Sequence, residues 1–407
     1  MTAHRLIPAF ILAVFLAAPG VSSAQSNAAV EVLVWVRDQG RFVDGLALDD
    51  FEIYEDGALQ TPASLHLVRE QSILREEVRQ AVSPDLQRNF YLLFQTTDWN
   101  ARLGEAVDHL FRSLLLPGDA MTLVTPMKPY GLTPDALARR PMAALSKEMQ
   151  QILRRDIQQG GGDYRDTIRE LRRVVRAIGG DRHSPDTDME TDSGTTFGLE
   201  MQLERYKEGL RKLENMRLLD QRRLIDFAES LRGRPGRNFV VFFYQREFRP
   251  EISASALNAL MDRYQDSPNI RGDLQDLFQF YHRRTTLDED LIRKAFADAA
   301  MTFSFIFMNK EAQYIQGATM KEQSEDVFEL FSAVARATGG LPDTSQNPAS
   351  SFRTAAEASR SYYLLTYVPI NLERDGRFRE IEVRVKGRDI PVSCRAGYYA
   401  KGGRPIS

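Results

Sequence analysis

A group of polar side chains directly follows a continuous apolar run in the first third of the chain. Residues 90–94 (FYLLF) are apolar without a break, and Gln95, Thr96, Thr97 and Asp98 come next. An unbroken apolar run is typical of a strand that is covered on both faces. Amide, hydroxyl and carboxylate oxygens at the end of such a strand are suited to bind a hard cation or a polar ligand. We therefore place the candidate site at this loop.

The residues after the loop predict a helix. Apolar side chains recur there at helical spacing, at Leu103, Val107, Leu110, Phe111 and Leu114. The loop thus joins a buried strand to a helix. In open α/β folds, ligands bind at the carboxyl ends of the strands, which is where this loop lies.

Further apolar runs predict more buried strands at residues 120–125, 238–244, 302–308 and 361–368, with helical patterns between them. This alternation predicts an α/β fold with a doubly wound, mostly parallel sheet. Strands at the two ends of the chain form a small β module in this interpretation. Residues 70–88 are charged and favour a linker or an exposed helix, and residues 199–231 favour one long amphipathic helix.

These patterns divide the chain into four parts. We expect a signal peptide at residues 1–24, an N-terminal β module at 30–69, an α/β domain at 88–368 and C-terminal β-strands at 369–400. Within the α/β domain, residues 134–232 are predicted to be helical almost throughout.

The amino terminus predicts export. His4 and Arg5 precede an apolar run at residues 6–19, and small residues lead to a cleavage position after Ala24. A membrane anchor is the alternative, although the run is shorter than the ~20 residues that span a bilayer. We expect a periplasmic or extracellular protein with no transmembrane segment after signal cleavage.

Composition bears on the partners. The chain has 53 basic and 56 acidic side chains, a formal charge of −3, and this near balance gives no reason to expect nucleic acid as a partner. A protein partner is the expectation that remains. Cys394 is the single cysteine, so stability must come from apolar cores and not from an internal disulfide.

Both ends of the chain resemble one bacterial family. Three segments are similar to the von Willebrand factor A-related family that is abundant in acidobacteria: residues 34–68, which contain GLALDDFEIYEDG, residues 335–341 (ARATGGL), and residues 362–400, which end in GYYA. The resemblance implies an A-domain core with a Rossmann-like sheet. It also implies a metal-ion-dependent adhesion site at the top of the sheet and a role in protein binding or adhesion.

The resemblance also assigns positions to that metal site. The family uses an Asp-x-Ser-x-Ser loop, a threonine from a second loop and an aspartate after a later strand. In this chain Gln95, Thr97 and Trp99 stand at the loop positions. Thr196, or its neighbour Thr195, would supply the threonine, and Gln245 stands where the later aspartate is expected.

These replacements imply a degenerate metal site. Divalent cations such as Mg²⁺ are held by oxygen ligands that usually include a carboxylate, and here two carboxamides replace two carboxylates. We therefore expect no cofactor, with Mg²⁺ as the alternative if Asp98 and Glu247 act as displaced carboxylates. Another interpretation is that Gln95, Thr97 and Gln245 hydrogen-bond to one another and cap the following helix.

The expected function is that of an exported, non-catalytic protein-binding module. A further possibility, which the resemblance suggests, is that residues 134–232 are an enlarged insertion that serves as the recognition surface. A metal-dependent adhesion protein is one alternative. A periplasmic hydrolase is the other, since His109 or His282 would be available as a base if a catalytic triad assembled in space.

Overall fold

The computed structural model describes residues 29–80, 84–178, 196–217, 219–281, 287–312 and 318–401. The expected signal peptide at 1–24 and the candidate His282 lie outside these residues. Within the described part of the chain, no helix combines the length and apolar character needed to cross a membrane.

Strands occur throughout the chain. In order they are β1 Val30–Asp38, β2 Arg41–Phe42, β3 Phe51–Glu55, β4 Ala58–Gln60, β5 Pro62–Arg69, β6 Ser72–Val78, β7 Arg88–Gln95, β8 Ala120–Val124, β9 Pro129–Leu132, β10 Arg237–Gln245, β11 Phe248–Ile252, β12 Thr302–Met308, β13 Ala318–Glu322, β14 Pro342–Ser345, β15 Ser361–Tyr367, β16 Asp375–Val385, β17 Val392–Cys394 and β18 Gly397–Lys401.

Helices are concentrated between β9 and β15. In order they are α1 Ala101–His109, α2 Pro134–Ala138, α3 Met142–Gly160, α4 Gly162–Ile178, α5 Thr196–Arg217, α6 Gln221–Leu231, α7 Ala254–Arg263, α8 Pro268–Tyr281, α9 Glu289–Asp298, α10 Glu325–Ala337 and α11 Pro348–Glu357. A π-helical turn, Leu110–Leu114, extends α1, and a 3₁₀ turn, Leu48–Asp50, precedes β3.

The central sheet contains the apolar runs that begin at residues 90, 120, 238 and 302. Its strand order is β14-β12-β10-β7-β8-β9. Neighbouring strands are parallel except β9, which is antiparallel to β8 at one edge. The fold is therefore α/β, as predicted, with further antiparallel sheets beside this one.

Helices cover both faces of the central sheet. Side chains of α1, α3 and α11 share one apolar cluster with alternate residues of β7 and β10, whereas α6, α9 and α10 share another with the intervening residues. Alternation along a strand sends neighbouring side chains to opposite faces, so burial on both faces requires the unbroken apolar runs.

Strand β15 departs from the prediction that residues 361–368 join the parallel sheet. It pairs antiparallel with β1 and β5 instead. Tyr363 and Leu365 pack inside the β module, whereas Tyr362 and Leu364 pack against the α/β core. The unbroken apolar run indicated that both faces of the strand are buried. An antiparallel strand that lies between two apolar cores is also buried on both faces.

The β module is built from segments near both ends of the chain, and it includes β6 and β15. One sheet has the order β17-β1-β15-β5-β6, and the other has β18-β16-β3-β4. An apolar cluster lies between them. An Asp-Gly hairpin joins β3 to β4, where Asp56 and Gly57 have φ values of 50° and 79°.

Two local predictions were wrong. The charged segment at 70–88 contains strand β6, whose exposed charges suit an edge strand. The single long helix expected at 199–231 consists of α5 and α6, because the Asp220 side chain accepts hydrogen bonds from Arg222 and Arg223 and starts a new helix.

The helical region at 134–232 is not one insertion. Helices α3 and α6 belong to the two faces of the central sheet. Helices α4 and α5 instead share an apolar cluster with residues from β11, α7, α8 and β13. We call these six elements the cap subdomain. Its segments come from separate parts of the chain, and contiguous sequence patterns could not show that they pack together.

A buried ion pair connects the central sheet to the β module. Arg88, the first residue of β7, donates to both carboxylate oxygens of Asp119 at 2.6 and 3.0 Å. The two side chains are 1% and 0% exposed. Arg88 also donates to the carbonyl oxygens of Leu114 and Ser359, and Gln71 donates to Asp119. One guanidinium thus joins β7, the chain before β8 and the chain before β15.

We expect Arg88→Met to lower the free energy of unfolding by about 3–5 kcal/mol, because it leaves the Asp119 carboxylate buried without its cation. The matched control is Arg112→Met, which removes an ion pair with Asp108 that is 61% and 35% exposed. That change should cost less than about 1 kcal/mol. Urea unfolding of the purified proteins measures both, and equal losses would contradict the role assigned to Arg88.

Candidate functional site

Three neighbouring parallel strands end at the candidate site. In the pairing register Gln95 of β7 lies beside Tyr244 of β10, and Gln245 lies beside Met308 of β12. The residues that follow these strands therefore meet at one edge of the sheet. That edge brings together Thr97, Asp98, Gln245 and Lys310.

The Gln245 carboxamide organises the loop after β7. Its Oε1 atom accepts hydrogen bonds from the backbone N–H groups of Thr97 and Asp98 and from the Thr97 hydroxyl, each at 3.0 Å. Gln245 is 8% exposed. Because three donors converge on this oxygen, it serves as a structural acceptor for the loop.

Gln95 is not part of this network. By strand alternation, Gln95 lies on the same face of the sheet as Tyr91 and Leu93. Gln245 lies on the opposite face, with Val241 and Phe243. All the hydrogen bonds of the Gln245 carboxamide oxygen go to Thr97 and Asp98. The interpretation in which the two glutamines bond to each other is therefore wrong for Gln95.

The remaining candidate positions have other roles. Trp99 packs against the apolar core of the sheet. The Asn100 side chain, and not one of the candidate residues, caps α1 by accepting from Arg102 at 2.9 Å. Thr196 is the first residue of α5, and its side chain lies outside the described part of the chain.

A lysine ammonium lies over the loop. Lys310, two residues beyond β12, donates to Asp98 Oδ2 at 2.5 Å, and its Nζ is 3.5 Å from Thr97 Oγ1. The two charged side chains are partly exposed, at 26% for Lys310 and 38% for Asp98. The Tyr164 ring faces the same ammonium, with its centroid 5.6 Å from Nζ. The only carboxylate of the loop is thus already paired with a cation from the protein.

The start of α4 covers one side of the site. Arg165 donates to the Thr97 carbonyl oxygen, and Gly161 approaches that oxygen so closely that a Cβ atom would clash with it. The Tyr164 hydroxyl donates to the Phe248 carbonyl at 3.3 Å. Burial, together with the Glu247 and Asp98 carboxylates, raises the pKa of Tyr164, which keeps this hydroxyl protonated as a donor.

These contacts do not fit a divalent cation. Gln245 offers a neutral oxygen that already has three donors, and a divalent ion near Asp98 would meet the Lys310 ammonium. Glu247 is 8% exposed and belongs to the chain after β10. Among the described residues, no three His, Cys, Asp or Glu side chains group in a way that could hold a metal.

The histidine proposed as a base in the hydrolase alternative lies elsewhere. His109 ends α1 and packs edge-on against Phe352, with ring centroids 6.2 Å apart. Burial lowers the pKa of His109. Its surroundings are those of a helix packed on the core.

Lys310, Tyr164 and Arg165 were not among the site residues predicted from the sequence. Lys310 had a usable signal, because it follows the apolar run 302–308 just as Thr97 follows 90–94. Tyr164 and Arg165 had none, since only the packing of α4 brings them to the loop.

No protein-family model and no curated protein sequence matches the chain. Among solved structures, that of the human COPII-coat protein Sec24c is similar, with a TM-score of 0.31 and 7% identity. The similarity covers 77% of this chain and 44% of the Sec24c chain, so it spans less than half of that protein. A likeness at this level supports no conclusion about fold or function.

We expect Gln245→Leu to lower the free energy of unfolding by about 1–3 kcal/mol, because the N–H groups of Thr97 and Asp98 lose their acceptor. Gln95→Leu is the control, since Gln95 lies outside this network, and it should cost no more than about 0.5 kcal/mol. Thermal or urea unfolding distinguishes the two. A larger loss for Gln95→Leu would refute the assignment of the loop to Gln245.

Proposed function

We propose that this chain is an exported, non-catalytic protein-binding module of the von Willebrand factor A-related type that works without a divalent metal. The observation that supports it most directly is the Lys310 ammonium, which contacts Asp98 over the loop at the carboxyl ends of β7 and β10. In this proposal the central sheet and its two helical layers correspond to a doubly wound A-domain. The amino-terminal apolar run at residues 6–19 supports export to the periplasm or the cell exterior.

The cap subdomain is the proposed recognition surface. Three of its apolar side chains are exposed: Phe197 on α5 at 75%, Phe278 on α8 at 56% and Met261 on α7 at 37%. Exposed aromatic and Met side chains are enriched where proteins bind one another. The cap also lies beside the candidate site, through Tyr164 and Arg165 at the start of α4. Recognition by the cap therefore replaces recognition through a metal in this proposal.

Titration calorimetry with Mg²⁺, Mn²⁺ and Ca²⁺ tests the absence of a metal. The native protein should release no binding heat, and Gln245→Asp alone should release none because the Lys310 ammonium remains. Gln245→Asp/Lys310→Ala provides two carboxylates without that cation and should gain binding with a dissociation constant on the order of 1 mM. Metal binding by the native protein that Asp98→Ala or Glu247→Ala abolishes would instead support the metal-dependent alternative.

Capture experiments in the presence of a chelator test the protein-binding role. The immobilised chain (residues 25–407) should retain a defined set of proteins from the exported fraction of the cells that make it. Phe197→Ser/Phe278→Ser should lower that retention at least about tenfold, as expected when exposed aromatic anchors are removed. Leu372→Ser, which changes a 68% exposed leucine near β16, is the control. Identical retention by all three proteins would refute the cap as the recognition surface.

A further inference from the structure

A buried histidine lies in the contact between the β module and the α/β core. His66 of β5 is directly opposite Leu364 of β15, and directly opposite residues share one face of a sheet. Leu364 packs in the same apolar cluster as Phe90 of β7 and Phe239 of β10. His66 itself is 1% exposed. Its imidazole therefore lies on the face of the β module that packs against the central sheet.

The surroundings of this ring favour its neutral form. Its Nδ1 atom is buried and has no hydrogen-bond partner among the described residues. A carboxylate oxygen of Glu76 on β6 is 3.9 Å from Nε2, which is too far for a hydrogen bond. The Glu76 side chain is 64% exposed, so solvent screens its charge. A proton on the ring would be buried with little compensation, and burial accordingly lowers the pKa of His66.

Two further charged side chains face the ring. Glu31 of β1 lies one row from His66 on the same face of the sheet. It accepts a hydrogen bond of 2.7 Å from Arg237, the first residue of β10. Burial has the largest effect on the pKa of His66; Glu76 and Glu31 raise this pKa, and Arg237 lowers it. Because Glu31 is paired with Arg237, the two together present little net charge to the imidazole.

The other ionisable groups of this contact keep their charge near neutral pH. Burial raises the pKa of Tyr362 on β15, so its hydroxyl stays neutral. Arg88 on β7 is paired with Asp119. Histidine is the side chain whose charge ordinarily changes between about pH 5 and 8. Among the described groups of the contact, His66 is therefore the one that takes up a proton on mild acidification.

We propose that His66 makes the contact between the β module and the α/β core sensitive to pH. The contact is closed while the imidazole is neutral, and acidification opens it. In the open contact the ring reaches water and regains the ordinary histidine pKa of about 6.5, whereas in the closed contact it resists the proton. Opening therefore becomes more favourable as the pH falls below about 6.5, and it is unchanged above that value.

The Trp35 indole N–H reports this opening, because it donates to the carbonyl oxygen of Ala358 at the end of α11, at 2.8 Å. Its hydrogen exchange is measured by NMR on the purified chain and corrected for the intrinsic effect of pH. Exchange should quicken at least about threefold between about pH 7.5 and 5.5, and one proton allows at most about tenfold for each pH unit. Backbone amides of β12, in the central sheet, report global unfolding and serve as the reference.

His66→Gln replaces the imidazole with a polar side chain that takes up no proton, and it should abolish the pH dependence of Trp35 exchange. His109→Gln is the matched control. Burial lowers the pKa of His109 as well, but this ring packs on Phe352, and its loss should leave the pH dependence of Trp35 exchange unchanged. A merely structural role for His66 predicts faster exchange at both pH values with the pH dependence retained.

An NMR titration of the His66 ring in the native protein needs no variant and covers the case in which His66→Gln does not fold. A pKa below about 6.5 supports the proposal. A higher pKa, or Trp35 exchange that is independent of pH or keeps its pH dependence in His66→Gln, would overturn it. Equal quickening at the β12 amides would also overturn it, because the whole chain would then unfold together.

Discussion

The buried contact between Arg88 and Asp119 is the constraint on which the rest of the architecture depends. A charge pair without solvent must satisfy every donor and acceptor that it presents, and Arg88 does so by reaching carbonyl oxygens at Leu114 and Ser359. Asp119 in turn accepts from the backbone N–H of Leu116. Satisfying this one pair fixes where β7 begins, how the chain returns to β8 and where β15 enters the neighbouring sheet.

Because β7, β10 and β12 are parallel, their last residues lie at the same edge of the sheet. The chemistry at that edge uses neutral and positive groups where a metal site would need negative ones. A carboxamide oxygen holds the loop, and an ammonium pairs with the remaining carboxylate. Protein groups thus supply three hydrogen bonds and an ion pair to this loop.

Sequence patterns predicted the four central strands β7, β8, β10 and β12, because burial on both faces leaves an unbroken apolar run such as residues 238–244. They did not predict the edge strands β9 and β14, which lack such a run. The apolar run at residues 361–368 assigned β15 to the wrong sheet. Such a run indicates that a strand is buried on both faces, but it does not identify the strands with which it pairs. Position at a strand end located Thr97, Asp98 and Gln245. It could not locate Arg165, whose contact with Thr97 depends on how α4 packs against segments far away in the sequence.

The β module has a consequence for how the protein acquires its structure. Its first strand pairs with β15 and β17, and the Trp35 indole donates to Ala358, 323 positions later. While the chain is being made, β1 is an apolar segment without its permanent neighbours. Contacts of such high sequence separation form slowly. The interval before they form is when this protein is most exposed to misassembly, and a factor that shields β1 during that interval would raise the yield of folded protein without changing its final stability.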